Sequence, residues 1–227
     1  MSDDGAPRVG ILMLDTNFPR IVGDVGNPAT WPFPVRYKIV KGAHAEAIVR
    51  RLERERYLAA FVDAARELES SGVRCIITGC GFLVLFQDEL AAAVRVPVLT
   101  SSLLQVPWVA ARLRPDQKIG ILTFEGPSLS PAHLRAAQID PSLVAVRGLE
   151  GSAFHRTIVD DLRELDVERA RADHATAARR LVDEYPEIAA LVLECTNMPP
   201  YADAIRQATG LPVFDLTTMV GWLAAAV

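Results

Sequence analysis

Cys75, Cys80 and Cys195 are the side chains of this sequence best suited to proton-transfer chemistry. A thiolate can take a proton from carbon and a thiol can return one. Two thiols facing one carbon from opposite sides could therefore invert a stereocentre without a cofactor. Three cysteines cannot all pair, and their spacing is not that of a zinc site, so reduced thiols are expected. His44, His133, His155 and His174 also lack metal-ligand spacing. No metal and no cofactor is expected. Gly79-Cys80-Gly81 has Val84 where a dinucleotide turn would need its third glycine, and no Walker lysine follows. Gly151-Ser152-Ala153 lacks the context of a nucleophile elbow.

An internal repeat singles out two of the thiols. Val9-Gly10-Ile11-Leu12 matches Ile119-Gly120-Ile121-Leu122, and the strands they open lead to Asp15 and Glu125, both pairs 110 residues apart. Ile76-Ile77-Thr78-Gly79-Cys80 matches Leu191-Val192-Leu193-Glu194-Cys195 at a displacement of 115, as does Val96-Pro97-Val98 against Leu211-Pro212-Val213. Four matches in one order, with one cysteine in each half, imply two similar lobes related by a pseudo-two-fold axis. Cys75 has no counterpart and reads as a core thiol.

The elements that must position these residues are legible as apolar runs alternating with amphipathic stretches. Candidate strands are Val9–Leu14, Val35–Val40, Val73–Thr78, Val96–Leu99, Lys118–Thr123, Val144–Arg147, Ile188–Leu193 and Pro212–Phe214. Helical stretches fall between them, the longest over His44–Ser70 and Asp166–Glu184. The result is an α/β fold of parallel sheets buried on both faces. One lobe is expected to comprise residues 1–103 with 211–227, and the other residues 104–210. Parallel sheets bind ligands beyond the carboxyl ends of their strands. Cys80 and Cys195 both follow strands, so they should enter a shared cleft between the lobes.

Other candidates lie at the same ends. A helix start offers free N–H groups that favour thiolate and can hold a carboxylate. Asp15 and Glu125 end equivalent strands, and Thr123 lies two residues before Glu125. The long segment Asp15–Trp31 carries Phe18, Ile21, Val22 and Trp31, as a lid over a site would. Arg20 and Arg36 bracket it, and a guanidinium could grip a second carboxylate. Trp108 and Trp222 occupy matching apolar stretches and read as core.

Composition narrows the partners. The chain has 227 residues with 24 basic and 28 acidic side chains, a net charge of −4, and no isolated basic block. Nucleic acid and anionic membrane are therefore not expected partners. The polar start Met1-Ser2-Asp3-Asp4 is unlike a secretory or transit leader. The longest apolar stretch, Cys75 to Phe86, is interrupted by Thr78, Gly79 and Gly81 and falls short of the ~18 residues of a membrane span. A cytoplasmic protein acting on a small carboxylate is the expectation. Dimers are the commonest soluble assembly, so a homodimer is the default.

Thr78-Gly79-Cys80-Gly81, Glu194-Cys195-Thr196-Asn197, their separation and the two-lobed repeat together resemble the aspartate/glutamate racemase superfamily, over nearly the whole chain. That superfamily includes amino-acid and hydantoin racemases, maleate isomerase and arylmalonate decarboxylase. The resemblance implies catalysis without pyridoxal phosphate, metal or nucleotide. It implies Cys80 and Cys195 as the two acid/base residues. Thr196 and the backbone after each cysteine, at Gly81, Phe82 and Asn197, would hold the substrate carboxylate. Two departures stand out. Many racemases of this kind carry Asn-Thr where this chain has Gly81-Phe82, and glutamate racemases carry His where it has Asn197.

The leading expectation is a cofactor-independent amino-acid racemase or epimerase using two cysteine bases. A maleate-type cis-trans isomerase retains both thiols and stays open. An arylmalonate-type decarboxylase keeps only the second cysteine. A non-enzymatic carboxylate binder would bind ligand without proton exchange.

Overall fold

The computed structural model describes residues 8–51 and 53–226. The acidic start Met1–Asp4 and the terminal Val227 lie outside them. Two four-stranded parallel sheets form the frame. In the first, β1 (Val9–Leu14), β2 (Val35–Val40), β3 (Cys75–Thr78) and β4 (Val98–Leu99) lie in the order β2-β1-β3-β4. In the second, β5 (Lys118–Thr123), β6 (Val144–Gly148), β7 (Ile188–Leu193) and β8 (Val213–Phe214) lie in the order β6-β5-β7-β8. The order is the same in both, as the repeat predicts. The matched register extends to single bonds: Gly79 N donates to Leu12 O at 2.7 Å, and Glu194 N to Leu122 O at 2.8 Å.

Strand residues alternate between two cores, because successive side chains point to opposite faces. On β1, Val9, Ile11 and Met13 face one helix layer while Leu12 and Leu14 face another. Helix α1 (Arg54–Ser70) covers the first sheet with Phe61, Ala64, Ala65 and Leu68. α6 (Val167–Glu184) covers the second with Ala170, Ala178 and Leu181. Gly10 and Gly120 lie at equivalent points under these helices. An added Cβ would press on Leu68 at the first and on Leu181 and Leu191 at the second. The glycines shared by the two halves thus let helix and sheet approach.

The smaller helices are α2 (Gln87–Ala93), α3 (Val106–Ala110), α4 (Pro131–Ala136), α5 (Ala153–Val159), α7 (Ala202–Thr209) and α8 (Leu216–Ala224). α3 packs Val106 and Val109 against Ile119 and Ile121 of the second sheet. α8 packs Leu216, Met219 and Val220 against Val9 and Ile11 of the first. Each half thus sends its last helix to the opposite sheet. The strand before α8 does not cross: β8 pairs with β7, as β4 pairs with β3. Residues 211–214 therefore lie with the second sheet, not with the first lobe as expected. The equal strand order of the two repeats requires that.

Three other expectations are corrected. The stretch His44–Ser70 is not one helix: a π-helical turn at Glu46–Arg50 is separated from α1 by Glu53, whose φ/ψ of −71/50 is not helical. That turn faces the other lobe, where Arg50 meets Glu125. Trp108 and Trp222 are 53% and 74% exposed, because the inner faces of α3 and α8 are already filled by the residues named above. Within the long loop, Val22 is also exposed, although Phe18 and Trp31 are buried as a lid requires. Among the described residues, no helix is long and apolar enough to cross a membrane.

His133 and His174 are fully buried, and burial pushes both imidazoles down to about 4. His174 stacks on Tyr201 with ring centroids 4.2 Å apart. A histidine kept neutral in the fold stabilises it above the ordinary value of 6.5, and that contribution is lost as pH falls through about 4. The thermal midpoint should therefore drop as pH is lowered from 6.5 towards 4. Replacing both residues with Leu should flatten that slope. An unchanged slope in the double variant would assign the acid sensitivity elsewhere.

Candidate active site

β3 and β7 point their carboxyl ends at each other across the pseudo-axis, and the chain at both ends is held by cross-lobe hydrogen bonds. Thr196 Oγ1 donates to Gly79 O at 2.8 Å, and Ser102 Oγ donates to Leu193 O at 2.5 Å. The fit is close at Gly81, where an added Cβ would collide with the carbonyl oxygen and Oε1 of Glu194. Any other residue at position 81 would push the lobes apart.

A narrow cleft opens at this junction. Cys80, Gly81, Phe82, Cys195, Thr196, Asn197 and Arg20 all line it, so seven of the residues predicted from sequence come together. Leu14, Phe18, Val49, Phe124 and Ile158 make most of the remaining wall apolar. The free space inside, about 20 Å³, holds little more than a single water. Part of the wall must shift to admit a substrate larger than water. The loop over the cleft is fastened to the second lobe by Asp161, which accepts from Asn17 N at 2.6 Å and Phe18 N at 3.1 Å.

Three predicted residues sit elsewhere. Asp15 caps the turn after β2: its Oδ2 accepts from Gly42 N at 3.0 Å, which holds its carboxyl below the usual value. It turns away from the cleft, and Thr16 lines the wall in its place. Arg36 is exposed on the edge strand β2, paired with Gly10 near the strand's amino end. The cleft is at the opposite end. Thr123 stands behind the wall and reaches it through Glu194, donating to Oε2 at 2.7 Å. Glu125 is also outside the cleft, bridging the lobes through Arg50 at 2.7 Å and His155 at 2.9 Å. Burial opposes its ionisation, but these two partners prevail and hold its carboxyl low.

Two buried carboxyl groups next to the thiols escaped the sequence reading. Asp24, 2% exposed, accepts from Arg20 at 3.0 Å and from Asn197 Nδ2 at 2.6 Å. With the amide nitrogen turned to this carboxylate, Asn197 Oδ1 is left to accept from Cys195 Sγ at 3.4 Å. Thr16, Arg20, Asp24, Asn197 and Cys195 thus form one polar chain along the lid. Glu194 is the second. It is fully buried between the two thiols' strands, with Oε1 unpartnered. Desolvation pushes it up to about 8 despite the Thr123 hydrogen bond. Asp24 looked like an ordinary turn residue in a Gly- and Asn-rich segment. Glu194 carried a visible signal, a lone acid ending an apolar strand directly before a cysteine.

The same desolvation governs the thiols. Burial, then the charge of Glu194, pushes Cys80 up to about 12, against N–H groups of Phe82 and Leu83 and the charge of Arg20. Burial and Glu194 likewise hold Cys195 well above the usual value, outweighing the Asn197 N–H. The helix-start effect expected to favour thiolate is present but is exceeded. Burial thus favours the neutral form of both thiols. Among the described residues, no group of three or more His, Cys, Asp or Glu is placed to hold a metal ion.

Comparison with known proteins agrees with this architecture. The family model for Asp/Glu/Hydantoin racemase matches residues 102–224. A dimethylsulfoniopropionate lyase of Durusdinium sp. clade D is 33% identical over 213 residues, covering 91% of this chain and 70% of that one. Allantoin racemase from Pseudomonas fluorescens superposes with a TM-score of 0.62 at 17% identity, covering 96% of this chain and 89% of that one. Unliganded arylmalonate decarboxylase gives 0.61 at 15% identity, covering 97% and 92%. A two-lobed α/β frame with a cleft at the strand ends is the class of protein these features define. The chain belongs to the Asp/Glu/Hydantoin racemase family; the racemase and decarboxylase structures share its fold, and the lyase is similar to it in sequence.

With both thiols neutral, iodoacetamide at pH 7 should label Cys80 and Cys195 much more slowly than an ordinary thiol of pKa ~8.5. The rate should climb steadily through the alkaline range. Rapid labelling of either at pH 7, read by peptide mass spectrometry, would show that burial does not dominate.

Proposed function

We propose that this chain is a cofactor-independent lyase that removes a proton next to a carboxylate and expels a β-substituent, with dimethylsulfoniopropionate as the type substrate. The observation that carries this reading is a pair of thiols, one from each lobe, in a cleft walled by Phe18, Phe82 and Phe124. Aromatic faces attract a methylated cation, which a sulfonium is. An amino acid would need an acceptor for its ammonium group instead. Of the two buried carboxyls next to the thiols, Asp24 is committed to Arg20 and Asn197, and Glu194 is held toward its neutral form. The 33% identity to a dimethylsulfoniopropionate lyase supports the same substrate class.

The proposed step uses one thiol of the pair as base. A bound sulfonium cation favours the thiolate, offsetting part of the desolvation that keeps the thiol neutral. The thiol releases its proton to solvent as the substrate binds; the thiolate then takes the C2 proton, the C2–H electron pair becomes the C2=C3 double bond, and the C3–S bond breaks. Dimethyl sulfide leaves as a neutral molecule, acrylate remains, and the proton rests on the thiol. No acid is needed for the leaving group. A second reading keeps both thiols as acid and base and inverts a carboxylate-bearing stereocentre, which the matched positions of Cys80 and Cys195 favour.

Dimethyl sulfide release from dimethylsulfoniopropionate should be readily measured for the wild-type protein by gas chromatography. At least one of Cys80→Ser and Cys195→Ser should lower it by about 10²-fold or more, the scale of a lost general base. If both single variants keep full release, a thiol base is wrong. If the wild type releases none but exchanges the α-proton of an amino acid in D2O and racemises it, the second reading takes its place.

A further inference from the structure

Glu194 is the most unusual group in the cleft. It lines the space, its side chain is fully buried, and Oε1 has no partner. Its other oxygen is occupied: Thr123 Oγ1 receives Glu125 N at 3.4 Å and passes its own hydrogen to Glu194 Oε2 at 2.7 Å. In the neutral acid the proton therefore belongs on Oε1, which lies against Gly81 in the cleft wall. A buried donor without an acceptor costs free energy, and a ligand oxygen placed against it recovers that cost.

The repeat shows that this carboxyl is an addition on one side only. Glu194 stands 115 residues after Gly79, and both donate the same strand-end backbone bond. The first lobe has glycine there, with the end of the Met13 side chain packed against it. The second lobe alone supplies an acid, beside the cysteine of its own half. The groups facing it are Thr123 on β5, Cys80 after β3 and Cys195 after β7, with the Arg20–Asp24 pair beyond on the lid. Among the described residues, Arg20 is the one Lys or Arg that lines the cleft, and Asp24 engages it. A substrate carboxylate thus meets a shortage of free positive charge and an available O–H.

We infer that Glu194, as a neutral acid, donates the hydrogen bond from Oε1 that holds the substrate carboxylate and steadies the charge growing on it as the adjacent carbon loses its proton. This deepens the lyase reading and rests on it for the identity of the substrate, but the donor role itself is independent of the leaving group. A hydrogen bond to a developing oxyanion strengthens in the transition state and so accelerates the proton removal. The role exists only while the acid is protonated. The pH at which it is lost is set by burial, with Thr123 opposing.

The test measures binding without turnover, using 4-methylpentanoate, which replaces the sulfonium sulfur with a CH and cannot eliminate. Its affinity for the wild type should be flat near neutral pH and should weaken above about pH 8. Glu194→Gln, which keeps a donor in the same place, should bind within ~3-fold of wild type and lose that alkaline fall. Glu194→Ala should bind more than ~10-fold more weakly at pH 7, and Thr123→Val should move the fall to higher pH. If Gln binds as weakly as Ala, or the wild-type affinity is level from pH 7 to 9, the inference is overturned. Should the binding results hold while the wild type releases no dimethyl sulfide, the lyase reading fails alone. Circular dichroism of each variant confirms that the fold is retained.

Discussion

Everything at the centre of this molecule depends on how closely two parallel-strand ends approach. Cys80-Gly81 and Glu194-Cys195 meet with so little room that only glycine is accommodated at position 81. The hydroxyl of Thr196 crosses to the carbonyl of Gly79, and that of Ser102 to the carbonyl of Leu193. These bonds take up backbone acceptors that would otherwise be buried unpaired, which costs about 1–3 kcal/mol each. The contact also expels water from the two thiols, and that expulsion determines their chemistry.

Desolvation acts on three acidic groups at once. Cys80, Cys195 and Glu194 are all driven toward their neutral forms, and each charge would raise the cost of the next. One ion pair, Arg20 with Asp24, is kept intact at the rim and fixes the orientation of Asn197. A cleft of neutral acids with an aromatic wall suits a substrate that brings its own positive charge. Under the proposed function, the substrate's cation thus generates the base that attacks it. The lid adds to this by sealing the cleft, through the Asp161 fastening on Asn17 and Phe18.

Much of the frame was legible in the sequence because the two lobes share a pattern. β1, β2, β5 and β7 occupy the bounds expected from their apolar runs, and the repeat located both thiols at equivalent strand ends. Individual side-chain destinations were less visible. Arg36 and Asp15 lie close in sequence to the cleft, yet strand direction carries one to the far end and a turn at Gly42 captures the other. Trp108 and Trp222 are apolar residues on helices whose buried faces were already complete. Asp24 is invisible as a buried residue until the lid folds over it. The elevation of the thiols could not be read from local sequence, since it comes first from burial in the folded protein and, for Cys80, next from the charge of Glu194 in the opposite lobe.

The racemase and decarboxylase structures share this frame, and a protein named as a lyase is related to the chain by sequence. The proposed lyase and racemase readings begin with the same event, removal of the proton by a buried thiol. The most direct measurement of the central claim follows that proton in dimethylsulfoniopropionate carrying two deuterium atoms at C2. The account predicts slower release of dimethyl sulfide than from unlabelled substrate, with acrylate retaining one of the two deuterium atoms. Equal rates, with a three-carbon product that keeps both, would mean that the sulfide is displaced without C2 proton removal and would contradict it.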